Sequence, residues 1–424
     1  MNMGQRLRAL KNRLTRKALK RLSDLLPNGL KLALYRRSVR LYHHCPDNII
    51  FKVAETKDEL EQAFRLLYAA YLKQGFVQSS SSGMYLTLQH ALPSTSTLVA
   101  VRNNEVVGTV TVVRDNPLGL SMEKHFSLEP LRLAGARVAE VSSLAIAHSM
   151  RRETGGEIFF PLVTFLYRYS TQFHGLDYHV IAIYPHHGDL YRAIFGYEKL
   201  QAAPVQDYMG APAAAFFHDL KAAPVFLAQK YSGNPPERDL HHYALKKEFP
   251  HFRFPRRKYA TISDPVLTPE LLEYFFLKNT DLFACLSLRQ WRYLKEQYEA
   301  PEYDQVFSQI SAQGSCTVRQ HRFDVLFPGR ILTSRRVAAE LNISLRVLDV
   351  SKEGFRAVLS RDIALHSQLQ IQMAIETFEI VELQATPLWR QGQRIYGFKI
   401  LGASENWYKF VEYLNDELRI KKAA

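Results

Sequence analysis

The sequence predicts an α/β domain, a helical stretch and a β-rich tail, in that order. Three observations carry this. Between residues 49 and 220, apolar runs of strand length alternate with helical periodicity. From 221 to 310, proline-marked loops such as Asn234-Pro235-Pro236-Glu237 separate short helical patterns. From Arg319 onward, six short runs alternate apolar and polar residues ahead of an amphipathic helix, the pattern of a small barrel. With 424 residues, 47% of them hydrophobic, the chain can bury two packed cores.

In the first domain, strand Ile50–Val53 leads to helix Lys57–Leu72. The polar run from Gln78 to Gly83 reads as a loop. Strands Thr97–Arg102 and Val106–Arg114 read as a hairpin across Asn103-Asn104. Strand Val138–Ile146, helix Ile158–Phe173, strand Tyr178–Ile183 and helix Asp189–Phe195 follow, and the last strands lie in Tyr197–Gln201 and Ala213–Leu220. In the middle stretch, Thr268 caps a helix that opens on Pro269, and a second helix runs from Ser287 to Tyr298. The tail strands are Arg322–Leu332, Leu341–Asp349, Gly354–Leu359, Leu369–Phe378, Glu379–Leu388 and Arg394–Leu401, closed by helix Ser404–Leu418.

Charge is unevenly placed. Residues 1–40 hold twelve Lys and Arg against the single acid Asp24, so +11 of the net +14 sits there. The remainder is near neutral, which argues against a nucleic-acid-binding surface. Leu7, Leu10, Leu14, Ala18, Leu22 and Leu25 share one helical face, and Pro27-Asn28-Gly29 ends the pattern. Such a helix can lie in an anionic membrane interface, meet an acidic carrier protein, or pack on the domain behind it. No apolar run reaches the roughly 18 residues of a membrane span. Cys45, Cys285 and Cys316 form no metal pattern and no disulfide framework, so no metal is expected and a reducing cytoplasm fits.

The chemistry concentrates between Thr109 and Glu198. The turn Asp115-Asn116-Pro117-Leu118-Gly119-Leu120 precedes Glu140 at the head of a strand. A strand-end carboxylate beside apolar residues is partly desolvated, which suits it to deprotonate an amine; a structural ion pair with Arg114 or Arg137 is the alternative. Arg151, Arg152, Gly155 and Gly156 form a basic, Gly-containing loop ahead of an apolar helix, where backbone N–H groups and the helix dipole can receive a phosphate. Tyr191 on the next helix can reprotonate a leaving thiol or fill the core. His187, in the turn Tyr184-Pro185-His186-His187, is a site candidate or an ordinary turn residue. Asp115 can bind an amine, but forming the Asp-Asn-Pro turn is the stronger reading.

The ordered set of DNPLGL (115–120), AEVSSLAI (139–146), YPHH (184–187) and MGAPAAAF (209–216), after Leu66-Leu67-Tyr68, Tyr71 and Gly75-Phe76, resembles the GNAT acyltransferases. Within them it resembles the long-chain N-acyl amino acid synthases, relatives of the acyl-homoserine-lactone synthases. The resemblance spans about residues 51–220. It implies transfer of a long-chain acyl group from acyl carrier protein, or from CoA, to the α-amine of an amino acid. It implies Glu140 as base, Tyr191 as general acid and His187 as the family's turn histidine. It further implies phosphopantetheine contacts from the backbone at Leu144 and Ile146 and from Arg151, Arg152, Gly155 and Gly156. The acyl-phosphopantetheine is a co-substrate, and no tightly bound cofactor is expected.

The tail resembles a PilZ domain, a bacterial cyclic di-GMP receptor module. Asp349-Val350-Ser351-Lys352-Glu353-Gly354 matches that family's (D/N)xSxxG loop. The family's RxxxR arm is altered: Arg322 takes the second position, Val318 the first, and Arg319 gives RxxR. The resemblance implies a cyclic di-GMP site of Arg319, Arg322, Asp349, Ser351 and Gly354.

The expected architecture is therefore a basic N-terminal helix region (1–45), a GNAT-like α/β acyltransferase domain (46–220), a helical connector (221–310) and a PilZ-like β-barrel (311–424). The expected protein is a cytoplasmic enzyme, peripheral at the inner membrane through residues 1–40. The rival readings are an inactive cyclic di-GMP-responsive adaptor and a CoA-dependent N-acetyltransferase.

Overall fold

The computed structural model describes residues 27–42, 48–132, 135–148, 150, 155–200, 206–208, 211–255, 264, 266–284, 286–310, 322–332, 343–375, 379–391 and 394–423. The basic helical pattern over residues 7–25 lies outside these, as do Arg151, Arg152 and Arg319. Pro27 is followed by helix α1 (Asn28–Arg37), whose Lys31 Nζ pairs with Asp189 Oδ2 at 2.7 Å.

Strand β1 (Ile49–Val53) precedes helix α2 (Lys57–Gln74). A reciprocal cap starts α2: Thr56 Oγ1 accepts the Glu59 N–H at 3.2 Å, and Glu59 accepts the Thr56 N–H at 3.3 Å. Gly75 ends it in the left-handed conformation, φ 78°. Strands β2 (Thr95–Arg102) and β3 (Glu105–Arg114) form the expected hairpin, with Asn103 and Asn104 at φ 50° and 64°. Strand β4 (Val138–Ile146), helix α3 (Gly155–Arg168), strand β5 (Tyr178–Ile183) and helix α4 (Gly188–Phe195) follow, then β6 (Glu198–Lys199), β7 (Gln206–Tyr208) and β8 (Ala211–Asp219). Helix α3 passes into one π turn, Tyr169–Phe173, at the end of the stretch read as continuous helix.

The residues after 220 pack on both faces of this domain. Helix α5 (Ala223–Tyr231) and the π turn His242–Lys246 bury Leu227, Tyr231, Leu240 and Tyr243 against Phe160 and Ile194. Strand β9 (Phe252–Arg253) pairs in parallel with β1. No strand was expected there, because two residues give no periodicity to read. Helices α6 (Pro269–Glu273), α7 (Leu288–Gln297) and α8 (Asp304–Ser308) and the turns between them bring Phe275, Phe283, Leu294 and Phe307 against Leu60 and Phe64 of α2. The sheet order is β6-β8-β5-β4-β3-β2-β1-β9, with β7 on β8; β4–β5 and β1–β9 are parallel.

Strands β10 (Phe323–Leu332), β11 (Ile343–Val350), β12 (Gly354–Leu359), β13 (Leu369–Ala374), β14 (Ile380–Gln391) and β15 (Ile395–Ala403) close into an antiparallel barrel ordered β10-β11-β12-β15-β14-β13. Inward residues such as Val325, Val347, Phe355, Ile371 and Tyr396 fill it, and Trp407 and Phe410 of helix α9 (Glu405–Ala423) join that core.

The barrel rests on the two loops that lead into β4 and β5. The Arg137 guanidinium donates to the carbonyls of Val325 (2.9 Å) and Val347 (2.8 Å). Arg346 reaches Asp177 Oδ2 at 3.1 Å, and the same oxygen accepts the Arg137 N–H at 2.7 Å. Two left-handed glycines allow the approach. A Cβ on Gly135 (φ 68°) would sit 2.8 Å from Val358, and one on Gly175 (φ 57°) would overlap Leu326.

Gly175→Ala should therefore lower the denaturant midpoint. The left-handed backbone alone costs an alanine about 1–2 kcal/mol, and Leu326 must move as well. Adding Leu326→Ala should return only the contact part. An unchanged midpoint in Gly175→Ala would contradict docking at this loop.

Candidate functional site

Parallel strands β4 and β5 are paired only at Val138–Tyr178, Ala139–His179 and Glu140–Val180. Beyond Glu140 they part. On its other side β4 carries a bulge, since two residues, Ser143 and Leu144, oppose the single Val110 of β3. Ser143 is left-handed there, φ 59°, which is uncommon for a residue with a side chain. The bulge takes the Ser143 and Leu144 backbone out of register beside the opening. This splay needs the tertiary fold and has no signature in the sequence.

Glu140 stands at the last paired position and is 3% exposed. Its Oε2 accepts the Met122 N–H at 3.1 Å, and the Tyr208 hydroxyl lies 3.5 Å from Oε1. Burial pushes its pKa up to about 7, against the lowering effect of the Met122 and Ser121 N–H groups and Tyr208. The DNPLGL turn explains how those N–H groups arrive. Asn116 Oδ1 accepts the Leu118 N–H at 3.0 Å, and Leu120–Lys124 then folds back over Glu140. Asp115 gives both carboxylate oxygens to Arg132, each at 2.7 Å, and Arg132 also holds Glu123. Arg114 and Arg137, the two cations considered as partners for Glu140, donate elsewhere: Arg114 to the Pro93 carbonyl at 2.9 Å, Arg137 to the barrel.

Three tyrosines that the sequence reading left without a role surround this carboxylate. Tyr71 of α2 hydrogen-bonds Ser143, and burial holds its hydroxyl above the usual range. Tyr85 packs on Tyr71 with ring centroids 4.8 Å apart. Tyr208 comes from β7. Tyr85 and Tyr208 are likewise raised by burial, with the Glu140 charge adding to it. Their sequence spacing could not reveal them, because three distant segments supply them.

A cavity of about 1340 Å³ opens from this point. Glu140, Tyr71, Tyr85, Tyr208, Ser143 and Leu144 line it, together with the charged side chains of Arg114, Asp115, Glu123 and Arg132. Tyr191 lines it too, with its hydroxyl raised by burial. An apolar part of the lining is Phe159, Phe160 and Val163 of α3 with Leu227, Leu240 and Ala244, and His174, His179, His218, Arg289 and Arg356 line the cavity as well. Ile146 is paired with Gly108 and is not among the lining residues. Gly155 and Gly156 form the first residues of α3. His187 is exposed in the turn Pro185–His187, 4.2 Å from the His186 ring, and does not line the cavity. Among the described residues, no three His, Cys, Asp or Glu side chains gather as a metal site.

In the barrel, Asp349 is buried between two guanidiniums. Arg322 Nε reaches its Oδ1 at 2.6 Å, and Arg356 holds Oδ2. Burial opposes ionisation of Asp349, but the two arginines prevail and hold its carboxyl below the usual range. Ser351 N–H and Oγ both donate to the Gly354 carbonyl, at 2.7 and 3.1 Å, which forms the β11–β12 turn. Arg356 also lines the cavity.

Residues 62–219, less than half of the chain, match the sequence profile of a family described as N-acyl amino acid synthase FeeM, which indicates an acyltransferase. No curated protein matches the chain. Among solved structures, FeeM, an N-acyl amino acid synthase from uncultured soil microbes, is similar at 24% identity over 43% of this chain and 97% of that one, with a TM-score of 0.37. The CoA-dependent acyl-homoserine lactone synthase BjaI, solved with SAM and isopentyl-CoA, is similar at 15% identity over 49% and 95%, TM-score 0.36. The AHL synthase LasI is similar at 18% identity over 41% and 90%, TM-score 0.33.

The raised pKa of Glu140 gives a stability prediction. Its pKa is about 7 in the folded chain and near the model-peptide value of 4.5 when unfolded. Between these values the unfolded chain loses its proton first, so stability falls as pH rises through this window and is flat above it. The expected loss is on the order of 3 kcal/mol. Glu140→Gln should flatten that part of the curve, as read from denaturant unfolding at stepped pH. A slope unchanged by the substitution would show that Glu140 titrates normally.

Proposed function

We propose that the chain transfers a long-chain acyl group from an acyl-phosphopantetheine thioester to the amine of an amino acid. The observation that carries this reading is Glu140, a buried carboxylate with a pKa of about 7, at the root of the β4–β5 splay and on the wall of a half-apolar cavity. The donor is acyl carrier protein or CoA.

In this mechanism ionised Glu140 takes a proton from the substrate ammonium group. A base with pKa near the working pH combines a sizeable ionised fraction with adequate basicity. The freed amine attacks the thioester carbonyl, and a C–N bond forms. The N–H of Leu144, presented by the bulge, meets the developing oxyanion. Collapse breaks the C–S bond, Tyr191, which its raised pKa keeps protonated, donates to the leaving thiolate, and the proton shed by the amide nitrogen is returned to Tyr191 through solvent. The start of α3, with Gly155, Gly156 and the preceding Arg151 and Arg152, receives the phosphate of the donor arm. His187 has no part in these steps, since it lies off the cavity wall.

The barrel serves regulation in this reading, as a PilZ-like receptor for cyclic di-GMP. What supports it is the DVSKEG turn and the Arg322–Asp349–Arg356 cluster. Phosphate binding by Arg322 competes with Asp349 for that guanidinium. Residues 1–40 serve contact with an acidic carrier or with the anionic inner face of a membrane. Among the described residues, no helix is long and apolar enough to cross a membrane.

Two measurements test these proposals. The purified full-length protein, given long-chain acyl-carrier protein and mixed amino acids, should form N-acyl amino acids detectable by mass spectrometry. Glu140→Gln should lower the rate about 10²–10⁴-fold, and the wild-type rate should rise with pH around 7. Efficient acetyl transfer from acetyl-CoA without long-chain product would overturn the assignment. For the barrel, calorimetry on the full chain should show binding of cyclic di-GMP that Arg322→Ala abolishes; no heat at micromolar nucleotide would leave the barrel as a docking module.

A further inference from the structure

The geometry points to the segment Ala223–Lys246 as the wall that sets the length of the acyl chain. This rests on the acyl-transfer reading of the cavity. Besides Glu140 and its tyrosines, the cavity lining holds an apolar group in which Phe160 and Val163 of α3 are joined by Leu227, Leu240 and Ala244. A wall of such side chains offers water no partners and offers a hydrocarbon chain a full set of contacts. Leu227, Leu240 and Ala244 belong to one buried cluster with Phe160 and Ile194. All three lie beyond residue 219, where the match to the N-acyl amino acid synthase profile stops. The wall is therefore a property of this chain rather than of the matched segment.

A wall that measures length must be stiff, and this one is tied down at three points. The Arg168 guanidinium, at the end of α3, donates to the carbonyls of Ala244 (2.9 Å) and Lys247 (2.7 Å). The Tyr231 hydroxyl of α5 donates to the Ile194 carbonyl of α4 at 3.1 Å. Gly196, left-handed at φ 81°, lets the Phe226 ring lie where a Cβ would be 2.9 Å away. The wall is thus fastened to α3 and α4, the helices that follow β4 and β5. A methylene that fits the existing space gains about fourfold in binding. One that exceeds it must displace a side chain held by packing on one side and hydrogen-bonded backbone on the other.

The test uses the full-length protein and acyl donors graded in two-carbon steps. Products are read by mass spectrometry. Binding of free fatty acids of the same lengths is read by displacement of a fluorescent fatty acid. Leu240→Ala should move the preferred length about two carbons longer. Ala244→Phe should move it shorter and weaken the wild-type optimum at least about tenfold, roughly two methylenes' worth. Thermal unfolding checks that each variant folds; if Leu240→Ala does not, Leu227→Ala should lengthen the preference from the α5 side. An unchanged length preference in folded variants overturns the wall while leaving acyl transfer intact. Length-limited fatty-acid binding that shifts in the variants, without any N-acyl product from the wild type, sustains the wall and removes the acyl-transfer reading. Failure of every graded fatty acid to bind the wild type overturns the wall.

Discussion

Strands β4 and β5 run side by side only as far as the Glu140–Val180 pair, and much of the molecule is arranged around their parting. Two parallel strands that separate give up ladder hydrogen bonds, so each needs support from its outer neighbour. β3 supports β4 through the bulge at Ser143, and β8 supports β5 along its whole length from Tyr178 to Ile183. At the root, Asp177 accepts the Arg137 N–H, bonds Arg346 and pairs with Lys221 at 2.6 Å. The opening is thereby fixed at a hinge held by charge, with the catalytic carboxylate candidate at its last closed rung.

Buried carboxylates in this chain take opposite fates, and the partners decide which. Asp349 lies between the Arg356 and Arg322 guanidiniums, and Asp177 is held by the Arg137 backbone N–H, Lys221 and Arg346; both carboxyls are held below the usual range despite burial. Among the described residues, Glu140 meets two backbone N–H groups and a tyrosine and no cation, and burial prevails to raise it to about 7. The tyrosines around it add a dry, polarisable wall without adding charge. The turn at 115–124 keeps its own acids, Asp115 and Glu123, occupied with Arg132. That occupation leaves Glu140 as the carboxylate poised to exchange a proton near neutrality.

The barrel is not a separate appendage. Arg137 lies three positions before Glu140 on the chain, and its guanidinium ends on the carbonyls of β10 and β11. Arg356 of β12 holds Asp349 and also lines the cavity. The turn motif of the barrel and the acyltransferase cavity therefore share a side chain. Coupling still requires that a ligand favour one arrangement over another.

The sequence by itself determined the elements and their order: the capped helix at Thr56, the Asn103-Asn104 hairpin, Glu140 at the head of a strand, the DVSKEG turn and six barrel strands. These follow from local rules, since caps, turns and periodicity are written in adjacent residues. Only the tertiary structure decided that Tyr71, Tyr85 and Tyr208 meet at Glu140, that β9 joins the sheet, that Arg137 serves the barrel rather than Glu140, and that His187 stands off the cavity. Each of these depends on which distant segments come together. The pKa of Glu140 is the clearest case: the residue type was legible, but its value is a matter of desolvation, and the chain's local pattern does not record how much water the folded neighbours exclude.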